Sequence, residues 1–187
     1  MIKQYILPPL VLTLICAAVS SLLALAYDAT YVDETGVMTD KLSAACEEAA
    51  GKGSYSILLS DDNENKTPVT FDDSGEVAAI ITDKDRKVCL IEMREDGYET
   101  GGLDFVVGID DEGKVTGVSF VDCKETPGLG SRATESEYLD KYKKADNDKT
   151  VDEVDNVTAA TFSSKGLKKG IKKALDIYSS SKGEIFK

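Results

Sequence analysis

Two short stretches carry the residue types from which chemistry could be built. The first, Asp155-Asn156-Val157-Thr158-Ala159-Ala160-Thr161-Phe162-Ser163-Ser164, gathers hydroxyls and small side chains directly ahead of an amphipathic run. A helix start offers free N–H groups and the positive end of the helix dipole, and both favour an anion such as phosphate. The simpler alternative is a Ser or Thr acting only as an N-cap, and spacing alone does not separate the two. The second stretch, Glu125-Thr126-Pro127-Gly128-Leu129-Gly130, follows a strand-like segment. Its proline fixes one φ angle and its glycines permit close approaches closed to other residues. It could grip a ligand, or merely turn the chain into the next helix.

Other chemistries are narrowed by what the chain lacks. It has no histidine, which removes the commonest general base, the usual haem ligand and most zinc sites. Cys16, Cys46, Cys89 and Cys123 are widely separated, with none of the short spacings that hold zinc or iron–sulfur clusters. Cys16 lies in an apolar segment, so at most one intramolecular disulfide can form among the others, and buried free thiols are expected. A net charge of −12 argues against nucleic acid as a partner. Such acidity keeps an exposed domain soluble and could also attract a basic protein.

The elements that must position the two stretches are also readable. A chain of 187 residues suffices for one anchor and one domain. Tyr5 to Tyr27 carries no charge and as a helix would cross a bilayer core. Lys3 precedes it, whereas Asp28, Asp33 and Glu34 follow, so the positive-inside rule puts the N-terminus in the cytoplasm and the bulk outside. A cleaved signal peptide ending near Ala24-Leu25-Ala26 and a lipoprotein built on Cys16 are the alternatives, and all three agree on export. The expected division is residues 1–27 as cytoplasmic end and anchor, and 28–187 as the exported domain.

Within that domain Asp40 to Ala50 reads as a helix stopped by Gly51, and residues 60–75 as a polar surface loop. Val77 to Asp83, Lys87 to Met93, Leu103 to Ile109 and Lys114 to Val121 read as antiparallel strands, the last two flanking the turn Asp110-Asp111-Glu112-Gly113. Glu135 to Ala145 is expected to form a short helix. Ser163 to Ser180 is expected to form a longer one, its apolar face carrying Leu167, Ile171, Ala174, Leu175 and Tyr178 and its polar side Lys165, Lys168, Lys169, Lys172 and Lys173. Those lysines read as a solvated face, with docking to a partner as the minor alternative. The predicted class is α+β.

Taken together, the two stretches resemble the FMN-binding domain family. That family is found in the G subunit of the ion-translocating ferredoxin:NAD oxidoreductase (Rnf) complex and in the C subunit of the sodium-pumping NADH:quinone reductase. Its pattern Asp-x-x-Ser/Thr-Gly-Ala-Thr is matched by Asp155, Thr158, Ala160 and Thr161, and its Glu-Thr-Pro-Gly-Leu-Gly motif is complete at 125–130. Ala159 stands where the family usually has Gly, a change that would be strained if this residue needs a positive φ. The similarity covers roughly residues 75–178 and follows a single anchor.

The resemblance implies FMN joined covalently through its phosphate to Thr161 by a separate, magnesium-dependent flavin transferase that uses FAD. Asp155, Thr158, Ala160 and Thr161 would form the transferase recognition sequence. Thr158, Ala159, Ala160 and Ser163 would lie near the phosphate, and Glu125, Thr126, Pro127, Gly128, Leu129 and Gly130 against the ring system. Thr161 would be a substrate of maturation, with no catalytic residue and no metal site in the chain itself. The implied role is electron carriage within a membrane complex that couples ferredoxin oxidation and NAD reduction to sodium or proton export, with the other Rnf subunits and the bilayer as partners. The alternatives are the quinone-reductase C subunit, which is generally longer than this chain, a stand-alone flavin reductase, and a cofactor-free anchored binding domain.

Overall fold

The computed structural model describes residues 2–30, 37–60 and 77–186. The chain divides into two units, Met1–Asp33 and Glu34–Lys187. The first is the helix α1 (Ile2–Thr30), in which Pro9–Tyr27 has a mean hydropathy of 2.3 and is long and apolar enough to cross a membrane. The leucines and valines of this span are exposed, as suits lipid rather than water. The Thr13 hydroxyl donates to the Pro9 carbonyl at 2.8 Å, so this polar group is satisfied within the helix, as a dry environment demands.

The second unit is built on a five-stranded antiparallel sheet in which every strand pairs with its sequence neighbour, in the order β1-β2-β3-β4-β5. The strands are β1 (Ser56–Ser60), β2 (Val77–Asp83), β3 (Val88–Glu95), β4 (Leu103–Ile109) and β5 (Val115–Cys123). One face is covered by α2 (Asp40–Ala50), whose Leu42, Ala45, Cys46 and Ala49 pack on Ile81, Leu90 and Val106. After β5 come a 3₁₀ turn at Gly130–Thr134, the single turn α3 (Ser136–Leu139), a second 3₁₀ turn at Asp140–Tyr142, and α4 (Asp148–Asp152). The long helix α5 (Thr161–Ile185) then covers the other face, placing Leu167, Ile171 and Ala174 against Met93, Phe105 and Val107. Helices on both faces explain why β2, β3 and β4 read as near-continuous apolar runs rather than alternating ones.

Two glycines set how closely the helices lie. A Cβ on Gly117 would sit 2.5 Å from the Ala49 carbonyl oxygen, and one on Gly166 2.1 Å from the Asp96 carbonyl oxygen. Three lysines of α5 serve as ties: Lys169 reaches the buried Glu95 of β3 at 2.9 Å, Lys172 pairs with Asp152 at 2.7 Å, and Lys168 donates to the Val154 carbonyl.

The α+β class, the N-terminal apolar helix and the antiparallel sheet agree with the reading of the sequence. β1 was not anticipated, and Lys87 is a turn residue with φ 54° rather than the start of a strand. The expected helix over 135–145 is broken: Lys144 has φ 72°, its N–H donates to the Val115 carbonyl, and Val115 N–H donates to the Ala145 carbonyl. The end of that segment is therefore drawn onto β5, which a continuous helix would forbid. From residue 61 onward, the loop expected over 60–75 lies outside the described residues. The cysteines are free thiols, with Cys46 and Cys89 buried and pushed up to about 12 mainly by desolvation.

On the α2 face, at the end of the sheet nearest the 96–102 loop, Glu92 and Asp104 meet across β3 and β4. Burial foremost, and then the Asp104 charge, raise Glu92 from the ordinary carboxylate range up to about 7, while Arg94 opposes the rise. Cys46 lies within electrostatic reach of Glu92, and Asp122 within reach of Asp104. Asp104 Oδ2 takes Arg94 Nε at 3.4 Å, whereas Asp104 Oδ1 is buried with no hydrogen-bond donor among the described residues other than a protonated Glu92. A folded-state pKa raised above the unfolded value contributes stability below about pH 4.5 that disappears as pH rises through 7. Urea unfolding of the second unit should accordingly show stability falling between those limits. Glu92→Gln should flatten that slope and leave the protein more stable than the parent at pH 8.

Candidate functional site

Three segments converge at the end of the sheet where β3 leaves for β4. The carboxylate of Glu125, 4 % exposed, accepts from Tyr98 N–H at 3.0 Å and Glu99 N–H at 3.1 Å through one oxygen, and from Ser163 Oγ at 2.6 Å through the other. It thereby links the 96–102 loop, the end of β5 and the first turn of α5. Gly97, Gly102 and Gly130 enclose it so tightly that a Cβ on any of them would come within 2.7 Å of its oxygens.

Around this link lies a cavity of about 370 Å³. One wall is Glu125, Thr126, Leu129 and Gly130; the facing wall is Ala159 to Ser163, and Tyr98 stands at the edge. Tyr98, Leu129 and Phe162 are large apolar side chains at 72 %, 50 % and 66 % exposure, and Tyr98 meets Phe162 edge-on at 6.3 Å. Exposed aromatic and aliphatic groups gathered at a cavity mark a surface made to be covered. Neither Tyr98 nor Phe162 stood out in the sequence as a site residue. Pro127 and Gly128 form the outer bend of their loop and do not line the cavity; Gly128 has φ 75°, and its N–H donates to Ser131 Oγ at 2.8 Å.

The facing wall is a rigid helix start. Ser164 Oγ accepts from Val157 N–H at 3.0 Å, Ala160 N–H donates to the Val157 carbonyl at 3.0 Å, and Ser164 N–H donates to the Ala160 carbonyl at 2.9 Å. Ala160 is the N-cap, and its side chain supplies no cap. The first-turn N–H groups, which a helix leaves without internal acceptors, therefore remain available to an anion. Thr161 opens the helix, exposed, with its hydroxyl at this uncapped end. Ala159 lies in the left-handed region at φ 68°, the condition under which alanine in place of glycine is strained. Asp155 and Thr158 do not reach the cavity; they line a neighbouring groove with Arg132, whose Nη1 donates to the Thr158 carbonyl at 3.3 Å. Among the described residues no group of His, Cys, Asp or Glu side chains is arranged to hold a metal ion.

A cavity joining an uncapped helix start to an apolar rim suits a phosphorylated ligand with a flat ring. Residues 97–176 match the FMN-binding domain family. The match spans both walls of the cavity and Tyr98. The chain is also 33 % identical over 95 residues to the G subunit of the proton-translocating ferredoxin:NAD(+) oxidoreductase complex of Clostridium ljungdahlii, covering 46 % of this chain and 51 % of that protein. It is 28 % identical over 111 residues to the G subunit of the ion-translocating oxidoreductase complex of Shewanella oneidensis, covering 53 % and 52 %. It is 29 % identical over 126 residues to the protein of the same name from Pseudoalteromonas atlantica, covering 66 % and 59 %. The chain thus spans between 51 % and 59 % of the length of these relatives.

Two substitutions test this geometry. Ala159→Gly removes the left-handed strain and should raise stability by roughly 0.5–1 kcal/mol after the entropy of an added glycine is allowed for. Gly130→Ala inserts a methyl 2.3 Å from Glu125 Oε2 and 2.8 Å from Ser163 Oγ and should cost about 1–3 kcal/mol. Denaturant midpoints of the two variants should move in opposite directions.

Proposed function

We propose that this chain is a membrane-anchored electron-carrier subunit of an Rnf-type complex, holding FMN through a phosphoester to Thr161 Oγ. The observation that carries the reading is the position of Thr161: an exposed hydroxyl at an uncapped helix start, on the wall of a cavity within the FMN-binding match. The residues present fit the group. First-turn N–H groups of α5 and the helix dipole favour the phosphate. Buried Ala160 keeps the backbone accessible beside it, and Tyr98, Leu129 and Phe162 offer apolar cover for a ring.

Attachment from FAD would form a bond between Thr161 Oγ and the FMN phosphorus and break the pyrophosphate bond, with AMP leaving and the hydroxyl proton passing to a base of the transferase. Once bound, FMN supplies one- and two-electron transfer. The chain's own residues would then act by position: Glu125 ties the two cavity walls together, and the α5 start favours the negative charge of the phosphate. A covalent link keeps the cofactor from being diluted outside the cell. The apolar span Pro9–Tyr27, with Lys3 before it and acidic residues after it, supports a cytoplasmic N-terminus and an extracytoplasmic domain. The relatives, each a G subunit by name, favour the Rnf type over the quinone-reductase C subunit. Coupling to ferredoxin, NAD and sodium or proton export belongs to the whole complex and is carried over with that assignment.

Expression with and without a flavin transferase tests the reading. The denatured chain should fluoresce as a flavin in a gel only when the transferase and Thr161 are both present. Thr161→Ala should be dark while unfolding as the parent does; fluorescence retained by Thr161→Ala would remove the assignment.

A further inference from the structure

The buried carboxylates of the second unit differ in how their charge is met. Asp83, 1 % exposed, takes Arg86 Nε at 2.7 Å, and Glu95, 2 % exposed, takes Lys169 Nζ at 2.9 Å. Glu125 pairs with no lysine or arginine among the described residues. Its partners are the Tyr98 and Glu99 N–H groups and the Ser163 hydroxyl, and each of them donates, so the side chain is an acceptor only, as an ionised carboxylate is. A buried charge without a counter-ion is costly. A glutamine in the same place could accept both N–H groups through its oxygen and donate to Ser163 Oγ through its nitrogen. The brace between the cavity walls therefore requires hydrogen bonds but no charge.

That charge stands at the cavity, because Glu125 and Ser163 both belong to its wall. With water largely excluded from the carboxylate, its field is weakly screened and acts on whatever the cavity holds. We propose that the uncompensated carboxylate of Glu125 sets the redox balance of FMN held in this cavity, disfavouring the reduced ring and so lowering the reduction potential of the carrier. Reduction adds two electrons to the ring and draws one or two protons from solvent. Where one proton follows, the product is more negative by one charge, and a fixed negative charge beside it opposes that gain. The first-turn N–H groups of α5 act in the opposite sense, on the phosphate. This role rests on FMN occupying the cavity and gives the charge of Glu125 a task that the brace alone does not need.

The test uses the full chain in detergent, matured with the transferase and titrated at an electrode while flavin absorbance reports the fraction reduced. Glu125→Gln keeps the hydrogen bonds and removes the charge, so it should unfold at nearly the parental temperature. At a fixed potential its ratio of reduced to oxidised flavin should be about tenfold above the parent's, equivalent to about 30 mV for a two-electron couple. The difference should persist in about 1 M salt, which screens exposed charges and spares buried ones. Ser163→Ala breaks the brace and keeps the charge, and it should not reproduce the rise. A ratio for Glu125→Gln within about twofold of the parent's would overturn the proposal. So would an equal rise in Ser163→Ala, which would trace the effect to loosened walls, or a difference that vanishes in high salt. A parent chain that carries no flavin after maturation would instead remove the FMN reading, and this role with it.

Discussion

The buried carboxylate of Glu125 joins segments that come from three separate parts of the chain. The 96–102 loop ends β3 and starts β4, the 125–130 loop ends β5, and α5 arrives from a different part of the chain altogether. Two backbone N–H groups and the Ser163 hydroxyl meet on this one side chain. Hydrogen bonds to a carboxylate contribute about 1.5–3 kcal/mol each when buried, and their loss would leave buried donors unsatisfied. Three glycines are needed to let the backbones come this close, so the link dictates local sequence as well as geometry. The resemblance would place Glu125 against the ring; its carboxylate oxygens are already engaged within the protein, which makes it a brace between the cavity walls.

That brace explains how a small sheet can hold a precise cavity at its edge. The sheet core fixes β3, β4 and β5, and the close approach of Gly166 to Asp96 fixes the angle of α5. The cavity then takes its shape from elements that are tied to one another. Strain at Ala159 is consistent with this, since a left-handed alanine persists only where its surroundings over-determine the backbone.

Much of this was legible in the sequence because it depends on local pattern. The runs in β2 to β5 are β-branched and flanked by turn residues, and the helical spacing of Leu167, Ile171 and Ala174 marks α5. The two motifs themselves are contiguous in sequence and so were visible directly. What escaped notice depends on distant partners. β1 is five residues whose strand character comes from pairing with β2. The segment over 135–145 has helix-forming residues, yet Lys144 is recruited by Val115, at the start of β5 and well before it in the chain. Tyr98 sits in a glycine-rich loop with no periodicity, and only the fold brings it to Phe162. Arg132 could not be linked to Thr158 without knowing that the two loops run side by side.

The central claim is that one hydroxyl among several carries the cofactor. Thr150, Thr158, Thr161, Ser163 and Ser164 all fall within the single tryptic peptide from Thr150 to Lys165. Fragmentation mass spectrometry of that peptide, from chain matured in cells with an active transferase, separates them. The account predicts an FMN phosphoester on Thr161, with Thr158, Ser163 and Ser164 unmodified. An unmodified peptide, or a flavin on any other hydroxyl, would contradict it.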